Sequence, residues 1–177
     1  MWHTTDFVPA AERAYVTLMM GIVGRALVAS SETDPEIRDG LAAYPEGFRI
    51  QMTVDPGGPA FTVRCLGDGR VELVADDSEP VDLRVHFKHR THAFLVLSFQ
   101  EGSARAFANN RIYVDGDVSH AIRLLRCLSR METLILPKLV AEHAVKHYPA
   151  LPLSAKVPLA ARIYEHFVLN LVPGARA

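Results

Sequence analysis

Three histidines in the middle of the chain are spaced as if to bind a metal ion. His86, His89 and His92 recur at every third residue, and imidazoles that share a helix face can ligate zinc. However, alternating apolar residues predict a strand through Phe87, and such a strand would point the three rings in different directions. Lysine and arginine also stand between the histidines, where their charge opposes a cation. We therefore expect no metal site here, and a solvated turn instead.

A second pair, His143 and His147, has the i, i+4 spacing that places two side chains on one helix face. The residue before His143 is Glu142, so the pair lacks the H-E-x-x-H order of zinc hydrolases. We expect two exposed histidines near a helix end, where a protonated imidazole suits the helix dipole.

One predicted helix carries three arginines on the same side. Arg123, Arg126 and Arg130 follow one another at three- and four-residue intervals. Guanidinium groups bind phosphate through two parallel hydrogen bonds, and they also attract anionic membrane surfaces. The stripe is therefore either a site for a lipid headgroup or a membrane surface, or the solvated side of the helix opposite Ile122 and Leu125.

Motifs for covalent or phosphoryl chemistry are missing from the sequence. It contains no G-x-S-x-G, no Walker loop and no G-x-G-x-x-G. Cys65 and Cys127 fall at predicted inward positions of a strand and a helix, where a thiol behaves as a small hydrophobic group. Paired aspartates fall in turns, where capping explains them. We expect neither an enzyme nor a bound cofactor.

The composition is that of an ordinary globular domain. The 177 residues are 49% hydrophobic and 22% charged, and 19 basic against 20 acidic side chains give a net charge of −1. Without clustered positive charge we expect no nucleic-acid partner. The two cysteines form no C-x-x-C and predict a reducing compartment. The longest uncharged apolar stretch, residues 14–24, is shorter than the roughly 18 residues that cross a bilayer, so we expect a cytoplasmic protein.

Helical spacing near the start of the chain gives way to a region of strands. The first thirty residues and residues 35–43 are predicted to form helices. Period-two alternation then predicts four strands, at residues 48–54, 61–65, 71–75 and 81–87. Because short turns join these four strands, we expect an antiparallel meander.

The second half of the chain returns to helical spacing, with one further strand. Thr91 is expected to cap a helix. Asn110, which tolerates a left-handed backbone, leads into a fifth strand over residues 111–114. Asp117 is expected to cap the next helix, which buries an apolar side that includes Ile122. The sequence therefore predicts an α+β domain whose largely antiparallel sheet is covered on one face by helices.

The order of residues from position 83 onward matches a known pattern. Its segments are L-R-V-H-F at 83–87, F-L at 94–95, A-F at 106–107, R-I-Y-V-D-G-D at 111–117 and A-I-R-L at 121–124. A strand that ends in Gly116-Asp117 and leads directly into an apolar helix is the most specific part. This order resembles the sterol carrier protein 2 (SCP2) family over about residues 40–135. The family usually has glycine where this chain has Asn110, and the peroxisomal tripeptide of eukaryotic members is absent.

The resemblance implies a bacterial stand-alone type with a five-stranded sheet and helices that enclose an apolar tunnel for lipids. We expect residues 1–177 to form one domain. Residues 1–39 would be an N-terminal helical extension, and residues 150–177 would be a lid-like helix that prolines partly decouple from the preceding helix.

The implied function is the binding or transfer of a hydrophobic ligand without catalysis. The ligand would be sterol-like, a fatty acyl chain, a quinone or an isoprenoid lipid. Seven apolar side chains are expected either to line the cavity or to pack as solid core: Phe87, Phe94, Phe107, Ile112, Ile122, Leu125 and Phe167. The alternative is an accessory scaffold of the same fold, for example in ubiquinone metabolism, whose terminal helices bind a partner or a second copy.

Overall fold

A sheet with helices on one face makes up the part of the chain that the computed structural model describes, which is residues 7–75, 79–135 and 161. Its elements follow the order helices, strands, helices that the sequence predicts. In chain order they are α1 (Phe7–Thr33), α2 (Pro35–Leu41), β1 (Arg49–Val54), β2 (Ala60–Cys65), β3 (Val71–Val74), β4 (Leu83–Phe87), α3 (Arg90–Leu97), α4 (Ser103–Ala108), β5 (Ile112–Asp115) and α5 (Val118–Ile135).

The strands lie in the order β3-β2-β1-β4-β5. β1 and β4 run parallel, with Ile50 opposite Leu83, and the other neighbours are antiparallel. The prediction of a largely antiparallel sheet is confirmed, but the four-strand meander is wrong, because the chain crosses from β3 to the far side of β1. Alternation shows which face of a strand is buried and leaves open which neighbour it pairs with.

Alternating side chains give the sheet one apolar and one polar face. On the side of the helices, Ile50 of β1 and Val85 of β4 are buried. On the opposite side, the Gln51 amide donates to Thr62 Oγ1 at 3.1 Å and accepts from Arg84 Nε at 2.7 Å. The helix-covered face is therefore the one that can hold an apolar core.

Helix α1 is longer than the sequence pattern suggests. The sequence predicts a helix over the first thirty residues, whereas the helix continues to Thr33 and buries Ser30 and Ser31. The Ser31 hydroxyl donates to the Val28 carbonyl at 2.7 Å and accepts from the Val71 amide at 3.2 Å, which ties α1 to β3. Among the described residues, this is the one helix long and apolar enough to cross a membrane, over Ala10–Thr33, and half of the apolar stretch is buried inside the protein.

Helix α3 begins with a histidine cap. The predicted cap at Thr91 is wrong, since the helix starts at Arg90 and His89 is the N-cap residue. His89 has extended backbone, and its Nδ1 accepts from the Thr91 amide at 3.3 Å. An imidazole acceptor thus takes the place that sequence preferences assign to a hydroxyl group.

The two turns that flank β5 follow the sequence prediction. Asn110 has a φ of 57°, the left-handed conformation expected there. The Asp117 carboxylate accepts from the Ser119 amide at 2.7 Å, which confirms the predicted cap of α5. Hydrogen bonds from Ser119 lower the pKa of Asp117.

Helix α5 carries a carboxyl group whose titration should affect stability. Burial raises the pKa of Glu132 from 4.5 to about 7. Between these values the native state retains a proton that the unfolded chain releases, so stability falls as pH rises through this window. We expect urea unfolding to show a loss of about 1–2 kcal/mol between about pH 5 and pH 7.5, and Glu132→Gln to remove most of it. The exposed Glu46→Gln is the control, and an unchanged slope in Glu132→Gln would contradict the prediction.

A candidate ligand groove between helices α2 and α5

A groove of about 550 Å³ runs between α2 and α5. This volume lies within the roughly 300–1,000 Å³ typical of small-molecule sites. Its walls combine apolar, acidic and basic side chains, and the residues are Glu36, Ile37 and Gly40 of α2 with Val118, Ser119, Ile122, Arg123, Arg126, Cys127 and Arg130 of α5. We call it the α2–α5 groove.

The deepest part of the α2–α5 groove is formed by a close approach of the two helices. A Cβ atom on Gly40 would lie 2.8 Å from Cys127 Sγ, so a larger residue would push the helices apart. The Cys127 thiol lies 4.0 Å from the Ile37 carbonyl oxygen. Burial raises the pKa of Cys127 to about 11, which agrees with its predicted role as a small buried hydrophobic group.

Two aliphatic side chains that line the α2–α5 groove are exposed to solvent. Val118 and Ile122 are 53% and 47% exposed. The prediction that α5 buries Ile122 in the core is wrong. Ile122 instead lines the groove shared with α2, and the α5 residues buried in the core are Ala121, Leu124, Cys127, Leu128, Met131 and Leu134. An apolar ligand in this groove would remove both exposed side chains from water.

A network of ion pairs closes one end of the α2–α5 groove. Asp34 is completely buried, and its Oδ1 accepts from the Ile37 amide at 2.8 Å, which caps α2. Its Oδ2 lies 3.2 Å from an Arg130 guanidinium nitrogen, and Glu36 lies 3.1 Å from another. The charge of Arg130 is therefore already compensated inside the protein, and its contacts join α2 to α5.

The other two arginines have no such partners. Among the described residues, neither Arg123 nor Arg126 forms a hydrogen bond or an ion pair. Arg126 is exposed, whereas Arg123 is partly buried and its Nε is sealed from water. Burial raises the pKa of Tyr44 and of Cys127, and the nearby charge of Arg123 opposes both shifts. Arg123 thus lies beside the deep part of the groove and Arg126 at its rim.

The structure shows the surroundings of six of the seven apolar residues that the sequence proposes for a cavity. Phe87 and Ile112 are buried opposite each other on β4 and β5. Phe94 packs edge-on against Tyr15, with ring centroids 5.3 Å apart. The remaining four are divided as follows: Phe107 is exposed on α4, Leu125 is partly buried on α5, Ile122 lines the α2–α5 groove, and Phe167 lies outside the described residues. That the seven share one cavity stays a prediction.

The three central histidines lie in different surroundings. His86 is on the polar face of the sheet, 3.0 Å from Asp55 and stacked on the Tyr113 ring at 4.2 Å, so the expected solvated turn is wrong for it. His89 caps α3, and the His92 ring lies 6.1 Å from the His89 ring. Within the described residues no group of three or more metal-ligating side chains is found. His143 and His147 and the lid-like helix fall outside those residues.

Sequence reasoning missed Asp34, which caps α2 beside the α2–α5 groove, and Val118, which lines the groove. Asp34 stands directly before Pro35, and this order of cap residue and proline at a helix start was the signal for its role. Val118 was read as the start of a helix, and no sequence signal placed it beside α2. The groove itself depends on how two helices come together whose N-terminal caps are 83 residues apart in the sequence. Local periodicity carries no information on such a contact.

Comparisons with known proteins were made by sequence and by structure. No model of a protein family and no curated protein matches the sequence. One similar solved structure is the UbiJ-SCP2 ubiquinone synthesis protein, with 13% identity and a TM-score of 0.43 over 71% of this chain and 99% of that one. A second is the apo form of sterol carrier protein 2 from Yarrowia lipolytica, with 15% identity and a TM-score of 0.41 over 64% of this chain and 89% of that one. A third is the sterol carrier protein domain 2 of Helicoverpa armigera, with 16% identity and a TM-score of 0.39 over 59% of this chain and 81% of that one. All three are SCP2 or sterol carrier protein structures, the family that the sequence resembles.

Proposed function

We propose that the protein binds a lipid-like small molecule without catalysing a reaction, and that the ligand's apolar part docks in the α2–α5 groove. The observation that carries this proposal is the exposure of Val118 and Ile122 in the lining of a concave site. Burying apolar surface yields about 25 cal/mol per Å², so covering two aliphatic side chains favours binding by about 1–3 kcal/mol. A fatty acyl chain, a quinone tail and an isoprenoid all have suitable apolar surface.

A binding role without catalysis agrees with the chemistry of the groove. The polar groups that line it are arginines, one serine and one carboxylate, and the carboxylate of Glu36 pairs with Arg130. The Cys127 thiol in its floor has a raised pKa and is protonated near neutral pH. A thiol in that state is a weak nucleophile, so these groups suit recognition better than bond cleavage.

Substitution of one exposed aliphatic residue tests this proposal. We expect Ile122→Ser to weaken binding of the neutral fluorescent probe N-phenyl-1-naphthylamine about five- to tenfold, because the probe loses roughly 1 kcal/mol of apolar contact. Fluorescence titration measures the affinity. Leu18→Ser is the matched control, since Leu18 is also a helical aliphatic residue, 62% exposed, and lies outside the groove.

The accessory scaffold is the second candidate, and the exposure of Leu18 on α1 favours it. A scaffold that uses α1 would form a dimer or bind a partner protein there, and light scattering would show Leu18→Ser breaking up the assembly. Probe binding that survives Ile122→Ser unchanged would contradict the groove as the ligand site. Absence of any probe binding to the unmodified chain would overturn the lipid-binding proposal itself.

A further inference from the structure

We propose that the ligand of the α2–α5 groove is a single-chain amphiphile with an anionic head group, bound by Arg123 and Arg126 and not by Arg130. This inference rests on the proposed function, and it adds the chemical class of the ligand and the orientation in which it binds. It also divides the arginine stripe of the sequence into residues with two different roles.

The three arginines differ in their ion-pair partners, and this difference assigns them different roles. Arg130 is largely buried and contacts two carboxylates, those of Asp34 and Glu36. Neither Arg123 nor Arg126 has such a partner in the part of the chain that the structure describes. A further anion near Arg130 would meet two negative charges already in place, whereas one near the other two arginines would meet uncompensated positive charge.

The Arg123 side chain has a buried hydrogen-bond donor without an acceptor. Its Nε is out of contact with water and has no hydrogen-bond acceptor. The Nε of Arg130 is in the same state, but the other two nitrogens of that guanidinium already contact the carboxylates of Asp34 and Glu36. A buried donor left without a partner costs about 1–3 kcal/mol. A carboxylate or phosphate oxygen placed in the groove would accept this hydrogen bond, and a charge-assisted bond of this type is roughly twice as strong as a neutral one.

The order of the apolar and basic residues along α5 predicts the orientation of the bound ligand. With a rise of 1.5 Å per residue, Arg126 lies about 6 Å along the helix axis from Ile122 and about 12 Å from Val118. The ion pairs of Arg130 close the groove beyond Arg126. The groove thus has an apolar end, a cationic middle and a closed end. A head group at Arg123 and Arg126 with a chain running over Ile122 and Val118 matches this order.

Four ligands that differ in one property each test the inference by isothermal titration calorimetry. Dodecanoate and dodecanol share a chain and differ in head-group charge, inorganic phosphate has charge without a chain, and phosphatidylglycerol vesicles offer an anionic surface. For the unmodified chain we expect dodecanoate to bind about tenfold more tightly than dodecanol, and neither phosphate nor vesicles to bind measurably.

Four arginine variants complete the experiment. Arg126→Gln is expected to weaken dodecanoate binding about tenfold and to change dodecanol binding less than twofold, because the exposed Arg126 acts on the head group alone. Arg126→Lys should retain most of the affinity. Arg105→Gln, at an exposed position on α4 outside the groove, is the matched control and should change nothing. Arg123→Gln should act like Arg126→Gln, with thermal unfolding as the check that it folds.

Each outcome separates this inference from the function on which it rests. Equal binding of dodecanoate and dodecanol, unaffected by Arg126→Gln, would overturn the head-group inference and leave lipid binding intact. Vesicle binding that depends on Arg126, without dodecanoate binding, would overturn it in favour of a membrane-surface site. If dodecanoate, dodecanol and N-phenyl-1-naphthylamine all fail to bind, both the proposed function and the head-group inference are contradicted.

Discussion

Replacing Gly69 with alanine is expected to lower the free energy of unfolding by about 3 kcal/mol. Gly69 is buried in the turn between β2 and β3, with a φ of 84°, where an L-residue costs about 1–2 kcal/mol. An added Cβ atom would lie 2.2 Å from the Arg38 carbonyl oxygen and 2.7 Å from Arg38 Cγ. Because the carbonyl belongs to the backbone of α2, the helix must shift, and overpacking of this type costs about 1–3 kcal/mol more.

The chain offers a control with almost the same backbone conformation. Gly47 has a φ of 83°, and an added Cβ atom there would have nothing within 4 Å. We expect Gly47→Ala to cost about 1–2 kcal/mol, for backbone strain alone. Urea unfolding of both variants measures the difference, which is the cost of the contact with Arg38. Equal losses in the two variants would contradict a steric role for Gly69.

The same contact connects the turn to the proposed ligand site. Arg38 is on α2, and α2 forms one wall of the α2–α5 groove. A shift of α2 away from the turn changes the spacing between Gly40 and Cys127, where the two helices approach most closely. Gly69→Ala should therefore also weaken binding of N-phenyl-1-naphthylamine, although Gly69 itself lies outside the groove.

Local sequence signals predicted the elements better than their arrangement. Asn110 and Asp117 act through contacts within a few residues, so their conformation and capping followed from residue type. The position of β4 beside β1 depends on pairing between residues more than thirty positions apart, such as Ile50 and Leu83. Period-two alternation is the same whichever neighbour a strand has, so the crossover was not predictable from it.

The site illustrates the same limit with single residues. The helical spacing of Ile122 and of the arginines was correct, yet it predicted the wrong environment for Ile122. Similarly, Arg123 and Arg130 look equivalent in the sequence, and they differ because Asp34 and Glu36 lie near one of them. Periodicity identifies the faces of a helix, and the tertiary contacts that it does not contain decide which face meets the core, a groove or a partner charge.

Replacing Asp34 with alanine is expected to destabilise the protein by about 3 kcal/mol and to loosen the wall of the α2–α5 groove. The change removes the cap of α2, which is worth about 0.5–2 kcal/mol. It also leaves the largely buried Arg130 without its buried partner, which costs about 1–3 kcal/mol. Asp34→Asn keeps an acceptor for the Ile37 amide and removes the charge, so its loss should be intermediate.

Glu36→Ala is the matched control, because Glu36 pairs with the same guanidinium from an exposed position. Its side chain is 69% exposed, against complete burial for Asp34, and exposed ion pairs contribute about 0–1 kcal/mol. Urea unfolding should therefore rank the losses as Asp34→Ala, Asp34→Asn and Glu36→Ala, from large to small. Binding of N-phenyl-1-naphthylamine should fall in the same order, since α2 must stay against α5 to form the groove. Comparable losses for Asp34→Ala and Glu36→Ala would show that the charge of Arg130, and not the buried cap, holds the two helices together.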